Sequence, residues 1–234
     1  MFSYDSIIFP DLTICQPLEG FRFGIDSVVL AWFASVKTKD QVVDIGAGSG
    51  VISALLCRFR SPASVTAVEM QDEMYTCLEK TAELNPYGIK TVQADIREYK
   101  PQKPFTFAVC NPPYRTEGTG YQSANSVKRT ACFDNSMTID DILSFCKSRL
   151  KFGSRLALTG DADRLAYFIE KCTTASFEPK RLMFLHPAPD KKAKLFFLES
   201  AYGGGSELLV EPPVYQEGNI FNKNYLKLLQ GDWN

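Results

Sequence analysis

The chain reads as an α/β fold, with an open, mostly parallel sheet, helices on both faces and an antiparallel hairpin at its C-terminal end. Three observations predict this. Strand-like and helix-like stretches alternate from residue 25 to about residue 200. The first strand of the series, residues 41–46, runs into the glycine turn Ala47-Gly48-Ser49-Gly50 and then a helix. Finally, Asp44, Gly46, Glu69, Asp95 and Asn111 all fall at the carboxyl ends of successive expected strands. Ligands sit at that edge in open α/β sheets.

Residues 1–24, with Pro10, Pro17, Gly20 and an aromatic cluster around Phe23, read as an irregular lead-in. Val28, Val29, Leu30, Trp32, Phe33 and Val36 then give a helical apolar face that Asp26 or Ser27 can cap. After the glycine turn, Val51, Ile52, Leu55, Leu56 and Phe59 form the next helix. Glycines there allow close backbone approach to a ligand, and the helix start presents free amides. Residues 64–69 make a second strand, which ends in Glu69 about twenty residues beyond the glycines, where a carboxylate can accept both hydroxyls of a ribose. A helix follows over 71–84, and Asn85-Pro86-Tyr87-Gly88 stops it. The third strand, 91–96, carries Asp95, which can accept from an adenine amino group or cap the next turn.

The fourth strand, from Phe105 to Cys110, stops on Asn111-Pro112-Pro113-Tyr114. Two prolines end any strand and hold the surrounding carbonyls in one arrangement. Asn111 adds an amide oxygen that accepts hydrogen bonds, and Tyr114 a flat face for stacking. Two acceptors and a platform suit an amide-like NH2 on a π system, although Asn-Pro-Pro is also an ordinary way to leave a strand. The polar stretch between Tyr114 and Met137 reads as a long substrate-contacting loop whose Arg115, Lys128 and Arg129 can grip phosphates, with a plain solvated loop the close alternative. Thr138 caps a helix to Leu150, a fifth strand covers 154–159 and a helix covers 161–173. Residues 181–185 and 193–198 form the closing hairpin. The tail holds a strand candidate at Leu208-Leu209-Val210, and Phe221, Tyr225, Leu226, Leu228 and Leu229 fall in helical spacing.

At 234 residues and 45% hydrophobic content the chain forms one domain, 1–234, with a lead-in and helix over 1–40 and the core over 41–234. Its 26 basic and 27 acidic residues nearly cancel, so any grip on a polyanion must be local. The lysines at 191, 192 and 194 read as a solvated turn ahead of a nucleic-acid patch. Neither a secretory start nor a membrane-length apolar run is present, which leads us to expect a cytoplasmic protein without membrane partners. Seven scattered cysteines and a single histidine support no disulfide framework and no metal site. Cys110 abuts the asparagine, but packing fits it better than nucleophilic attack.

The run Asp44-Ile45-Gly46-Ala47-Gly48-Ser49-Gly50, with Glu69 and Asp95, resembles the cofactor motifs of class I methyltransferases, and Asn111-Pro112-Pro113-Tyr114 resembles their amino-methylating signature. With the segments from Gly20 to Ser27, Arg181 to Pro187 and Glu211 to Tyr215, most of the chain resembles the bacterial tRNA1(Val) adenine-N6 methyltransferases. The resemblance implies a Rossmann-like, seven-stranded sheet and S-adenosyl-L-methionine as cofactor, held by Phe23, Asp44, Gly46, Gly48, Gly50, Glu69, Met70, Asp95, Ile96 and Asn111. It further implies catalysis at Asn111, Pro112, Pro113 and Tyr114, and contact with RNA, chiefly tRNA, through Arg115, Lys128 and Arg129. The sequence leaves the oligomeric state open, with a monomer the favoured reading. Where such proteins carry an Ala-Arg-His-Glu-like run, this chain has Ala131-Cys132-Phe133-Asp134. Competing readings are methylation of a protein glutamine, methylation of DNA adenine, and a non-catalytic RNA-binding subunit with the same fold.

Overall fold

The computed structural model describes residues 1–6, 11–20, 22–112, 137–216 and 233. Its centre is a parallel array of β3 (Gln41–Ile45), β4 (Ser64–Glu69), β5 (Lys90–Gln93), β6 (Phe105–Cys110) and β7 (Leu150–Asp161). The array continues through the antiparallel β9 (Leu195–Tyr202) to β8 (Phe177–His186). With β10 (Leu209–Val210) and β11 (Val214–Tyr215), the order across the sheet is β10-β8-β9-β7-β6-β3-β4-β5, and β11 also pairs with β8. The strand count departs from the expected seven because β10 and β11 pair in parallel with β8, giving nine. β10 falls within the strand candidate at Leu208-Leu209-Val210, whereas β11, a run of two residues, is too short for periodicity to register.

Strand alternation sorts the core into two layers. Val42, Phe107 and Val109 join the cluster under α1 (Ile25–Phe33), α2 (Val51–Arg60) and α3 (Asp72–Leu84). Val43, Ala108 and Cys110 face the other way, under α4 (Ile139–Arg149) and α5 (Leu165–Thr174). Helices on both faces of a mostly parallel sheet are what burial of both strand faces requires. A short 3-10 turn, Ala162–Arg164, precedes α5, where one continuous helix from 161 is expected.

The N-terminal lead-in is not irregular. Phe2–Ser6 (β1) and Thr13–Pro17 (β2) form a separate antiparallel hairpin. It is pinned to α3 by side chains: Asn85 accepts from the Thr13 amide and donates to the Thr13 carbonyl, at 3.2 and 2.7 Å, and Thr81 Oγ1 accepts from the Cys15 amide at 3.0 Å. These partners lie some seventy residues apart in sequence, beyond the reach of any local pattern. Thr138 is the expected cap of α4, in a reciprocal box with Asp141. The helical pattern over 221–229 lies outside the described residues.

Candidate active site

Register brings the expected ligand positions to one edge. Asp44 pairs with Ala67 and Val109, Ile45 with Cys110, and Glu69 with Gln93, so Asp44, Glu69 and Asn111 leave neighbouring strands on the same side of the sheet. β5 is shorter than expected and ends at Gln93, which puts Asp95 in the turn beyond it.

The glycine turn follows β3 closely. Gly50 is the N-terminal cap of α2 at φ 82°, and a Cβ there would stand 2.6 Å from Leu78 Cδ1. Left-handed backbone and close packing on α3 both demand glycine. Gly48 has φ 57° and its amide donates to Glu69 Oε2 at 2.8 Å, while Glu69 Oε1 accepts from the Met70 and Gln71 amides, each at 2.8 Å. Glu69 thus clasps the glycine turn to the end of β4. An ionised carboxylate has about four acceptor positions, so three amides leave capacity for a hydroxyl.

Asp44 is fully buried. Its Oδ2 accepts from the Ser53 amide and hydroxyl at 3.1 and 2.7 Å, and its Oδ1 has no hydrogen-bond partner among the described residues. Burial pushes its carboxyl up to about 7, against the pull of the two Ser53 hydrogen bonds. A buried acceptor without a donor, beside a glycine turn, fits a cationic group reaching it directly or through one water. The ammonium end of S-adenosyl-L-methionine is such a group.

Asp95 realises the second of its two expected roles. Its Oδ1 accepts from the Arg97 amide at 2.9 Å, and the Arg97 guanidinium grips both carboxylate oxygens. That contact, ahead of the smaller opposing effect of burial, holds the Asp95 carboxyl below its ordinary range. Ile96 is buried, Met70 is exposed, and the Phe23 backbone is fixed by its amide's hydrogen bond to Gln16 Oε1 at 3.1 Å.

Asn111 follows β6 directly, and its Nδ2 donates to Asp26 Oδ2 and to Ser27 Oγ, both at 2.9 Å. Capping of α1 by Asp26 or Ser27 is not what occurs: Gly24 is the N-terminal cap, without a side-chain hydrogen bond, and the two residues in the first turn reach across to Asn111 instead. Their signal lay in the segment from Gly20 to Ser27, where a helix-start reading accounted for them locally. Ser53 and Gln16 were likewise missed, as nothing local marks a serine or glutamine that positions another residue. Pro112 is buried. Pro113, Tyr114, Arg115, Lys128, Arg129 and the run Ala131-Cys132-Phe133-Asp134 lie outside the described residues.

Cys110 is buried, and burial raises its thiol well above the ordinary range, so it is a poor nucleophile. No described helix is long and apolar enough to cross a membrane.

An open sheet of this strand order, with a glycine turn after its first central strand and an acid closing the next, has the Rossmann-like architecture of the class I methyltransferases. Residues 24–131 match the family model of the methyltransferase small domain. Among relatives, a protein of Dyadobacter fermentans named tRNA1(Val) (adenine(37)-N6)-methyltransferase is 24% identical, covering 95% of this chain and 94% of its own. A protein of the same name from Pseudoalteromonas translucida is 27% identical, with 94% of each chain covered. The crystal structure of a predicted O-methyltransferase from Agrobacterium tumefaciens shares the fold at a TM-score of 0.68 and 19% identity, over 88% of this chain and 96% of that one.

Proposed function

We propose that this chain transfers a methyl group from S-adenosyl-L-methionine to the exocyclic N6 of an adenine in RNA, the substrate being a tRNA with its target adenine beside the anticodon. The observation that carries the reading is Asn111 at the carboxyl edge, its amide nitrogen turned onto Asp26 and Ser27 and its carbonyl oxygen therefore the opposite edge. Relatives aligned along nearly the whole chain carry the name of this activity, which supports the choice of adenine and of tRNA.

In the proposed site Asp44 and the glycine turn hold the aminoacyl end of the cofactor, Glu69 its ribose, and Met70, Asp95 and Ile96 line the adenine end, with Phe23 and Asn111 completing the wall. The sulfonium supplies an electrophilic methyl whose C–S electron pair stays on sulfur. The protein's part is alignment: held in line in a dry site, two reactants gain about 7–11 kcal/mol from positioning in favourable cases. The target nitrogen is a weak nucleophile because its lone pair is spread into the ring. Acceptors at Asn111 Oδ1 and the Pro112 carbonyl draw its N–H groups, so that the nitrogen becomes tetrahedral as the N–C bond forms. One of those protons then leaves to solvent. A base in structured RNA must be splayed out to reach such an edge. Tyr114 would stack on it, and Arg115, Lys128 and Arg129 would hold flanking phosphates.

Methyl transfer from labelled cofactor to total RNA, total protein and DNA in parallel, followed by nucleoside analysis, tests the assignment. Label should appear in the tRNA fraction as N6-methyladenosine; label in protein or DNA alone would overturn it. Asn111→Ala removes one of many wall contacts and should keep cofactor binding nearly intact in calorimetry, while turnover falls by about 10²-fold or more, the cost of losing one preorganised polar contact to the reacting group.

A further inference from the structure

Asn111 can do its proposed work only in one of its two amide orientations. With the carbonyl oxygen outward, it accepts from an incoming NH2. Rotated by half a turn, it presents its own NH2 to another donor, and the contact becomes repulsive. Amide orientation is set by what the other edge touches. Here that edge meets Asp26 Oδ2 and Ser27 Oγ, each 2.9 Å from Nδ2, which gives two acceptors for a nitrogen carrying two N–H groups. A carboxylate only accepts, so Asp26 can face the nitrogen end of the amide and never the oxygen end.

We propose that Asp26 and Ser27, in the first turn of α1, are positioning residues for methyl transfer: they fix the Asn111 carbonyl oxygen as the acceptor shown to a substrate amino group. The proposal deepens the reading of Asn111 above and rests on it. Both residues are buried, with 9% and 4% of their surface exposed, so the pair works away from bulk water, where a hydrogen bond to a charged group is strong. The carboxylate also polarises the amide it accepts from, placing more negative charge on Oδ1, where the methylated nitrogen becomes positive. Room for it is made by Gly24, where a Cβ would stand 2.6 Å from Asp26 Oδ1. The chemical class selected is a planar amino donor. A keto group at the same place would meet an oxygen that cannot turn away.

The test uses the full chain and tRNA transcripts. Asp26→Ala should lower kcat by about 10²-fold with KM for tRNA and cofactor affinity within about twofold of the parent, the pattern of an interaction that matters in the transition state. Gly24→Ala, which keeps both polar partners but displaces the carboxylate, should lower kcat in the same way. Asn111→Asp alone sets two carboxylates against each other and should be at least as impaired. The exchange Asp26→Asn with Asn111→Asp restores a donor facing an acceptor, and should recover about tenfold or more over Asn111→Asp, a coupling that a merely structural role would not produce.

A second readout is the side-chain amide resonance of Asn111, identified by its loss in Asn111→Ala. It should shift in Asp26→Ala while cofactor affinity and melting temperature hold. Full kcat in Asp26→Ala, no recovery in the exchange, or an unmoved amide resonance would each overturn the proposal. Wild-type protein that methylates no RNA would instead overturn the RNA reading, and the resonance would still report on the contact.

Discussion

At the scale of single residues, Asp44 shows how a site can be held in tension. Its carboxyl, pushed up to about 7 by burial, sits well above the 3.8 of an ordinary aspartate. The unfolded chain therefore ionises first as pH rises from about 4, while the folded chain keeps the proton until about 7. Between those values the folded state binds more protons, and this residue's contribution to stability falls as pH rises. Without cofactor, the melting temperature of Asp44→Asn relative to the parent should rise between pH 5 and pH 8. A flat difference would remove Asp44 as the cause. A cationic ligand has the opposite demand, for it favours the ionised form. Affinity for S-adenosyl-L-methionine should therefore increase with pH through about 7 in the parent and lose that dependence in Asp44→Asn, which calorimetry in matched buffers can read.

Glu69 and Asp95 make a related point. Both carboxylates stand at or beyond strand ends, as their positions in the alternation imply, yet one is engaged by three backbone amides and the other by an arginine two residues away. Strand position says where a carboxylate is. It does not say which donor reaches it first.

Among the elements, the N-terminal hairpin departs furthest from what its sequence suggests. Phe2–Ser6 alternates over only five residues, Thr13–Pro17 does not alternate, and a two-stranded hairpin is marginal alone. Its support comes from α3, through Thr81 and the nearly fully buried Asn85. Asn85→Ala would leave the Thr13 amide and carbonyl without those partners, at a cost of about 1–3 kcal/mol in denaturant unfolding. The sheet core should be spared, so β1 and β2 amides should lose hydrogen-exchange protection before those of β3 or β6. Equal loss everywhere would mean that the hairpin and sheet unfold as one. α4 behaves differently, since Thr138 and Asp141 announce its start within four residues. A cap made within a single turn is visible to local reasoning, and a hairpin docked on a distant helix is not.

For the whole molecule, the charge balance and the thiols say most. With 26 basic against 27 acidic residues there is no net field to draw in RNA, so the proposed RNA binding would depend on contacts grouped near the site. The described cysteines are all free: Cys15 lies in β2, Cys77 in α3 and Cys57 in α2, while Cys110, Cys146 and Cys172 share the core layer that α4 and α5 cover. Burial raises these thiols, Cys172 to about 12. Cys110, Cys146 and Cys172 should therefore resist alkylation in native protein and become reactive together on global unfolding, as read by mass spectrometry across a denaturant series. Rapid native labelling of any of the three would show that the layer under α4 opens locally.

The alternation of elements, the glycine turn and the arrival of Asp44, Glu69 and Asn111 at one edge were all settled by sequence, because each follows from periodicity and spacing within a few tens of residues. Tertiary structure alone decided that Asp26 and Ser27 serve Asn111 and do not cap their own helix, that Ser53 holds half of Asp44, and that a hairpin replaces the expected irregular lead-in. These are pairings across as many as 85 residues. A hydrogen bond selects its partner by distance and direction in space, and such proximity exists only once the sheet has assembled.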